Sequence, residues 1–205
     1  MDIPSHEGAE NSRAVKVGVL LDLEPGRIGE WLADAAAFDA GGADALWIDT
    51  GPEPELDVLA LAAALAVVTF RARLVVALPN SGAAPVGAAS VGLARTLDTI
   101  GRLSHGRLAL IADPDQCAEL VLGTALFRRI PGEPGIFEEM RAGVEVQRWV
   151  SMPAPQGRAS WQAARADAAG RGVRGLVVPA DPRLLDILRN PDDPGDRHDL
   201  QLAQG

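Results

Sequence analysis

A chain of 205 residues is long enough to bury a sizeable core as one domain. Its one cysteine, Cys117, excludes an internal disulfide and any multi-cysteine metal site. The formal charge of −9 disfavours nucleic acid, because a phosphate-binding face needs clustered Lys and Arg.

The first predicted element is the apolar run 15–21, VKVGVLL, as expected of a strand covered on both faces. Pro25-Gly26 breaks it. Ile28–Ala40 then shows helical spacing through Ile28, Trp31, Leu32, Ala35 and Phe38, and Gly41-Gly42 ends the helix. Ala45–Ile48 reads as a strand, 49–54 as a turn cluster, 56–68 as an almost wholly apolar helix and 73–78 as a strand. A small-residue loop leads into a long amphipathic helix, a Ser-His-Gly turn at 104–106 and the strand Leu108–Ile111. Beyond it, 115–122 reads as a helix that half buries Cys117, 125–130 as a weaker strand and Ile136–Arg141 as one or two helical turns. Residues 144–152 read as an alternating strand, 160–169 as a helix, 175–178 as a strand and 183–188 as a last short helix.

Strands alternating with helices at this spacing imply an α/β fold with a parallel sheet and right-handed crossovers. Six strands are expected, or seven with 125–130. Two segments echo each other, LIADP ending at Pro114 and VVPADP ending at Pro182. Asp113 and Asp181 are each read as a helix N-cap followed by Pro at the first helical position. The domain spans 15–189. Asp2, Glu7 and Glu10 against Arg13 give residues 1–14 a charge of −2, and Asp192, Asp193, Asp196 and Asp199 against Arg197 give 190–205 a charge of −3, leaving −4 for the body. Both ends read as disordered polar tails. No apolar run approaches the roughly 20 residues that span a membrane, and 1–14 lacks the apolar centre of a signal peptide. A soluble cytoplasmic protein is expected.

Three stretches resemble one family. GGADALWI (41–48) is similar to a Gly-x-Asp-x-Leu-Trp entry into a second barrel strand, LAAALAVVTFRARL (61–74) to an apolar helix ending in Thr-x-Arg-x-Arg-Leu before the third, and LARTLDTIGRLSHGRLALI (93–111) to a helix ending in Leu-Ser-x-Gly-Arg before the fourth. Together they resemble the luciferase-like flavin-dependent monooxygenases and oxidoreductases. That resemblance implies a shortened TIM-type (β/α) barrel, FMN or F420 as cofactor and a small-molecule substrate; a homodimer is expected, formed in a non-catalytic relative through the exposed faces of the helices at 56–68 and 85–103. The chain departs from the family where Ala112-Asp113-Pro114 replaces a Gly-x-Gly and Ala83-Ala84-Pro85 an Arg-x-Pro.

Barrel chemistry occurs at the C-terminal ends of the strands. That rule makes Ser104, His105, Gly106 and Arg107 scaffold, with His105 a surface turn residue, and leaves His6 and His198 in the tails. Trp31 and Trp47 are read as packing residues. The residues assigned to cofactor binding are Asp22, Asp49, Thr50, Ala77, Leu78, Pro79, Asn80 and Ala112; no catalytic residue and no metal ligand is assigned. Asp22, Asp49, Asp113 and Asp181 ring the expected mouth. At an effective dielectric near 20, one carboxylate about 6 Å from a phosphate charge costs roughly 3 kcal/mol. Arg128, Arg129 and Arg148 compensate if the later loops fold back over the mouth. Three functions follow in order: a flavin-dependent oxidoreductase, a non-catalytic flavin-binding or structural relative, and a Mg²⁺ enzyme using Asp22, Asp49 and Asp113.

Overall fold

Eight strands pair in chain order into a closed barrel in the computed structural model, which describes residues 14–22, 25–49, 55–78, 88–112, 124–141 and 143–191. The elements are β1 (Lys16–Leu20), a short 3₁₀ turn (Pro25–Arg27) running into α1 (Ile28–Ala40), β2 (Ala45–Ile48), α2 (Val58–Val68), β3 (Arg73–Ala77) and α3 (Ala88–Leu103). They continue with β4 (Leu108–Ile111), β5 (Ala125–Arg129), β6 (Ile136–Arg141), β7 (Val144–Ser151), α4 (Arg158–Gly170), β8 (Gly175–Pro179) and α5 (Pro182–Arg189). All pairings are parallel except those of β6, which runs antiparallel to both β5 and β7. The TIM-type α/β barrel is therefore present with one strand reversed and two hairpins in place of helical crossovers.

Two expectations are corrected. Ile136–Arg141 is strand β6, not helical turns, and the barrel has eight strands, not six or seven. Apolar residues at 136, 137 and 140 imitate a helical face. The true period is two, with Phe137 and Glu139 both buried, and the acid at a buried position hides the alternation. The weak strand at 125–130 is β5. Asp181 caps α5, accepting from Arg183 N at 2.7 Å with Pro182 at the first helical position. Cys117, Asp113, His6, His198 and the helix expected at 115–122 lie outside the described residues.

Strands β1, β2, β3, β4 and β8 bury both of their faces, which is why these runs are almost continuously apolar. Val17, Val19, Leu46, Ile48, Leu74, Val76, Leu108 and Leu110 point outward into a layer shared with helix residues such as Trp31, Phe38, Leu65, Trp161 and Leu184. Their neighbours point inward, where Trp47, Phe127, Phe137 and Trp149 pack as one aromatic cluster with ring centroids 4.9–5.8 Å apart. Small residues surround those rings: Ala45, Ala109, Ala125, Gly18 and Gly175. A Cβ on Gly18 would stand 2.9 Å from Trp47 Cδ1, with Nε1 nearer still. Strand glycines here mark where indole rings lie against backbone.

Candidate functional site

At the C-terminal ends of the parallel strands lies a cavity of about 400 Å³, within the roughly 300–1,000 Å³ of small-molecule sites. Leu20, Trp47, Phe137 and Val177 give it an apolar, aromatic floor, and Asp49, Arg129, Ser151 and the turn between β5 and β6 form its rim. That turn is held by its own backbone: Glu133 N donates to Ile130 O, Ile136 N to Glu133 O, and Ser151 N to Gly135 O at 2.6 Å. Gly132 and Gly135 both sit at φ near +80°, a conformation that costs little only for glycine.

Asp49 follows β2 and Arg129 ends β5, three strands away around the ring. Across the mouth, Arg129 Nη2 donates to Asp49 Oδ2 at 2.6 Å. Their side chains are 45% and 33% exposed, so the pair is worth about 0–1 kcal/mol and is easily exchanged. The carboxylate expected to repel a phosphate thus has a cation beside it. Arg128 turns to the outer face and meets Glu138 at 2.5 Å; Arg148, also exposed, lies opposite Glu138 on β7.

Of the residues assigned from sequence, Asp49 lines the cavity. Asp22 is exposed just past β1, Ala77 is buried in the inner core, Leu78 packs against the outer core and Ala112 is half-buried beyond β4. These four are not among the lining residues. Thr50, Pro79 and Asn80 lie outside the described residues. Ser151 stands at the strand end that the sequence places at the mouth, whereas Phe137 and the Gly132–Gly135 turn carried no signal in sequence beyond a loop rich in Pro and Gly. Among the described residues, no group of three His, Cys, Asp or Glu is placed to hold a metal ion.

Apart from Trp47, the polar residues that carry the family resemblance sit at the opposite, basal face and do structural work. Asp44 accepts from Val17 N through Oδ2 while its own N–H donates to Val17 O, both at 2.8 Å, fixing β2 to β1. Arg107 donates to Ala72 O and Thr69 O at 2.7 Å and to Ala66 O at 3.3 Å, satisfying carbonyls at the end of α2. Burial pushes the Arg107 pKa down and Asp39 pulls it back; the guanidinium stays charged. The buried Asp39 accepts from Phe70, Arg71 and Ala72 N–H groups. His105 is an exposed turn residue at φ 52°.

Inside the barrel's base, Glu139 receives Arg73 Nη1 at 2.5 Å, Arg141 Nε at 3.2 Å and Trp149 Nε1 at 3.0 Å. Lys16 lies nearby, its pKa pushed below the usual lysine range by burial and then by Arg174 and Arg73, with Asp44 and Glu139 pulling it back. The unfolded chain binds this proton more tightly than the folded one, so the group contributes stability that rises with pH between the folded and unfolded pKa values. Lys16→Met is expected to be more stable than the parent at neutral pH, with the advantage shrinking as pH rises toward the usual lysine pKa. Urea unfolding across that range checks it, and a gap independent of pH would refute it.

No family model and no curated protein matches the chain. Among solved structures it is similar to the FMN-bound oxygenating constituent of 3,6-diketocamphane monooxygenase from a Pseudomonas putida plasmid, at 20% identity over 52% of this chain and 33% of that one, TM-score 0.38. It is also similar to a coenzyme F420 dependent tetrahydromethanopterin reductase from Methanopyrus kandleri, at 19% identity over 52% and 29%, TM-score 0.32. Tryptophan synthase from M. tuberculosis aligns over 89% of this chain and 94% of its own, at 14% identity and TM-score 0.48. The chain spans about a third of the length of the monooxygenase. The assignment as an eight-stranded α/β barrel rests on its own strand pairings.

Proposed function

We propose that this barrel binds a flavin, FMN or F420, at its mouth and serves as a flavin-dependent oxidoreductase of the luciferase-like kind acting on a small molecule. The observation that supports this is the mouth cavity, whose floor and rim suit the two halves of such a cofactor. Trp47, Phe137, Leu20 and Val177 offer an apolar, aromatic floor to a planar ring, and Arg129 offers a cation to an anionic tail. When bound, the flavin supplies the electron and oxygen chemistry. The chain's own part is to exclude water from below with its aromatic cluster, to wall one side with the 130–136 turn and to orient the tail.

A second reading, a flavin-binding relative without turnover, is favoured by one observation. None of the described residues lining the cavity is His, Cys, Lys or Tyr, which leaves the carboxylates of Asp49 and Glu133 as its acid–base groups, and Asp49 is engaged by Arg129. In both readings the protein is a homodimer through α2 and α3; α2 contains no polar residue, and Val67 and Phe70 at its end are exposed. Among the described residues no helix is long and apolar enough to cross a membrane.

Soaking the purified protein with FMN or F420, followed by desalting and a visible spectrum, tests the binding. Retained or titratable flavin is the expected result, and its absence sinks both readings that involve a cofactor. Turnover with reduced flavin and a panel of aldehydes and alcohols then separates enzyme from passive binder.

A further inference from the structure

Resting on that reading of the mouth, we infer that Arg129 selects a phosphorylated ligand by exchanging partners, and that Asp49 holds it in position until the ligand arrives. Among the described residues lining the cavity, Arg129 is the single cation, and Glu133 and Asp49 are the acids. An anionic group is therefore drawn to Arg129 and pushed away from Glu133, and beside Arg129 it must displace Asp49. The register of a charged ligand is fixed by repulsion as much as by attraction.

Geometry makes the exchange feasible. The guanidinium reaches over the opening to an acid three strands away, so it already lies across the path of an incoming tail. Both partners are partly exposed, so the contact between them is weak and is given up at little cost. A phosphate, with more charge and three acceptor oxygens, takes two parallel N–H donors from a guanidinium fork and outcompetes a single carboxylate contact. Arg128 is no substitute, since it faces outward and is engaged by Glu138. The ligand class that follows is a planar heteroaromatic ring bearing a phosphate, and the ring alone should bind less well.

Titrating the full chain with FMN and with riboflavin, which lacks the phosphate, tests this through dissociation constants read from flavin fluorescence. The parent is expected to prefer FMN by on the order of tenfold, the gain of a charge-assisted contact. Arg129→Gln should erase that preference by weakening FMN while leaving riboflavin unchanged, and Arg129→Lys should restore part of it. Asp49→Asn, which weakens the competing partner, should tighten FMN severalfold and leave riboflavin alone. Equal loss of both flavins in Arg129→Gln, or an undiminished preference for FMN, overturns the inference while leaving flavin binding intact. If the parent binds neither flavin, the cofactor reading falls and this one with it. Unchanged thermal midpoints of the variants would show that their effects come from the mouth and not from loss of fold.

Discussion

Gly175→Ala is expected to destabilise the protein by about 3 kcal/mol or more, the upper end of the usual cost of overpacking a core. A single methyl group there would stand 2.5 Å from Trp149 Cζ3 and 2.6 Å from Cδ2, with Cε3 closer still. The indole cannot step aside. It is 1% exposed and hemmed in by Trp47 and Phe127, at centroid distances of 5.7 and 5.8 Å. Moving strand β8 instead would strain its pairings with β1 and β7. Chemical denaturation gives the number directly. The mechanism is checked by the double variant Gly175→Ala with Trp149→Leu, in which the smaller side chain makes room. That variant should be more stable than the sum of the single losses by at least about 1 kcal/mol, the coupling expected of residues in contact. Additive losses would mean that the glycine matters for some reason other than the ring.

The second large effect is expected at Glu139. Glu139→Ala removes the carboxylate between Arg73 and Arg141 and the acceptor of the Trp149 indole N–H. Breaking a buried pair by removing one partner leaves an uncompensated charge and costs about 3–5 kcal/mol. Arg73 is 18% exposed, so water relieves part of this and the lower end of that range applies. Glu139→Gln keeps an acceptor for the indole but gives up the charge, and should fall between parent and Ala. If Glu139→Gln is as stable as the parent, the ion pair contributes nothing and the hydrogen bond to Trp149 is what matters.

The parallel half of the barrel was legible in sequence because each strand there is a continuous apolar run and each helix has a clear stop, such as Gly41-Gly42. The reversed strand was not. Its six residues place an acid at a buried position, and no local rule anticipates that an arginine from β3 and an indole from β7 will be there to satisfy it. The mouth was half legible. Placing site residues at strand ends found Asp49, but Arg129 was only one of three arginines named to compensate, and which of them faces the opening depends on the pairing of β5 with β6. Trp47 was read as packing, and it is; that its ring also floors the cavity follows from barrel closure. The available signal was glycine inside strands, at 18 and 175, where a close approach by something large is the ordinary reason for the missing side chain.

The basal hollow of about 370 Å³ is lined by both Ala14, just ahead of β1, and Pro191, just after α5. The beginning and end of the folded ring therefore meet at one place, next to the seam where β8 runs beside β1 in register from Lys16↔Gly175 to Leu20↔Pro179. A closed sheet of this kind has no first strand. Where the covalent chain is interrupted is a property of the polypeptide and not of the architecture. Joining the two ends and opening the ring at the exposed base of the β6–β7 hairpin, beside Gly143, would leave every strand neighbour unchanged. The same barrel could then be written in a different order.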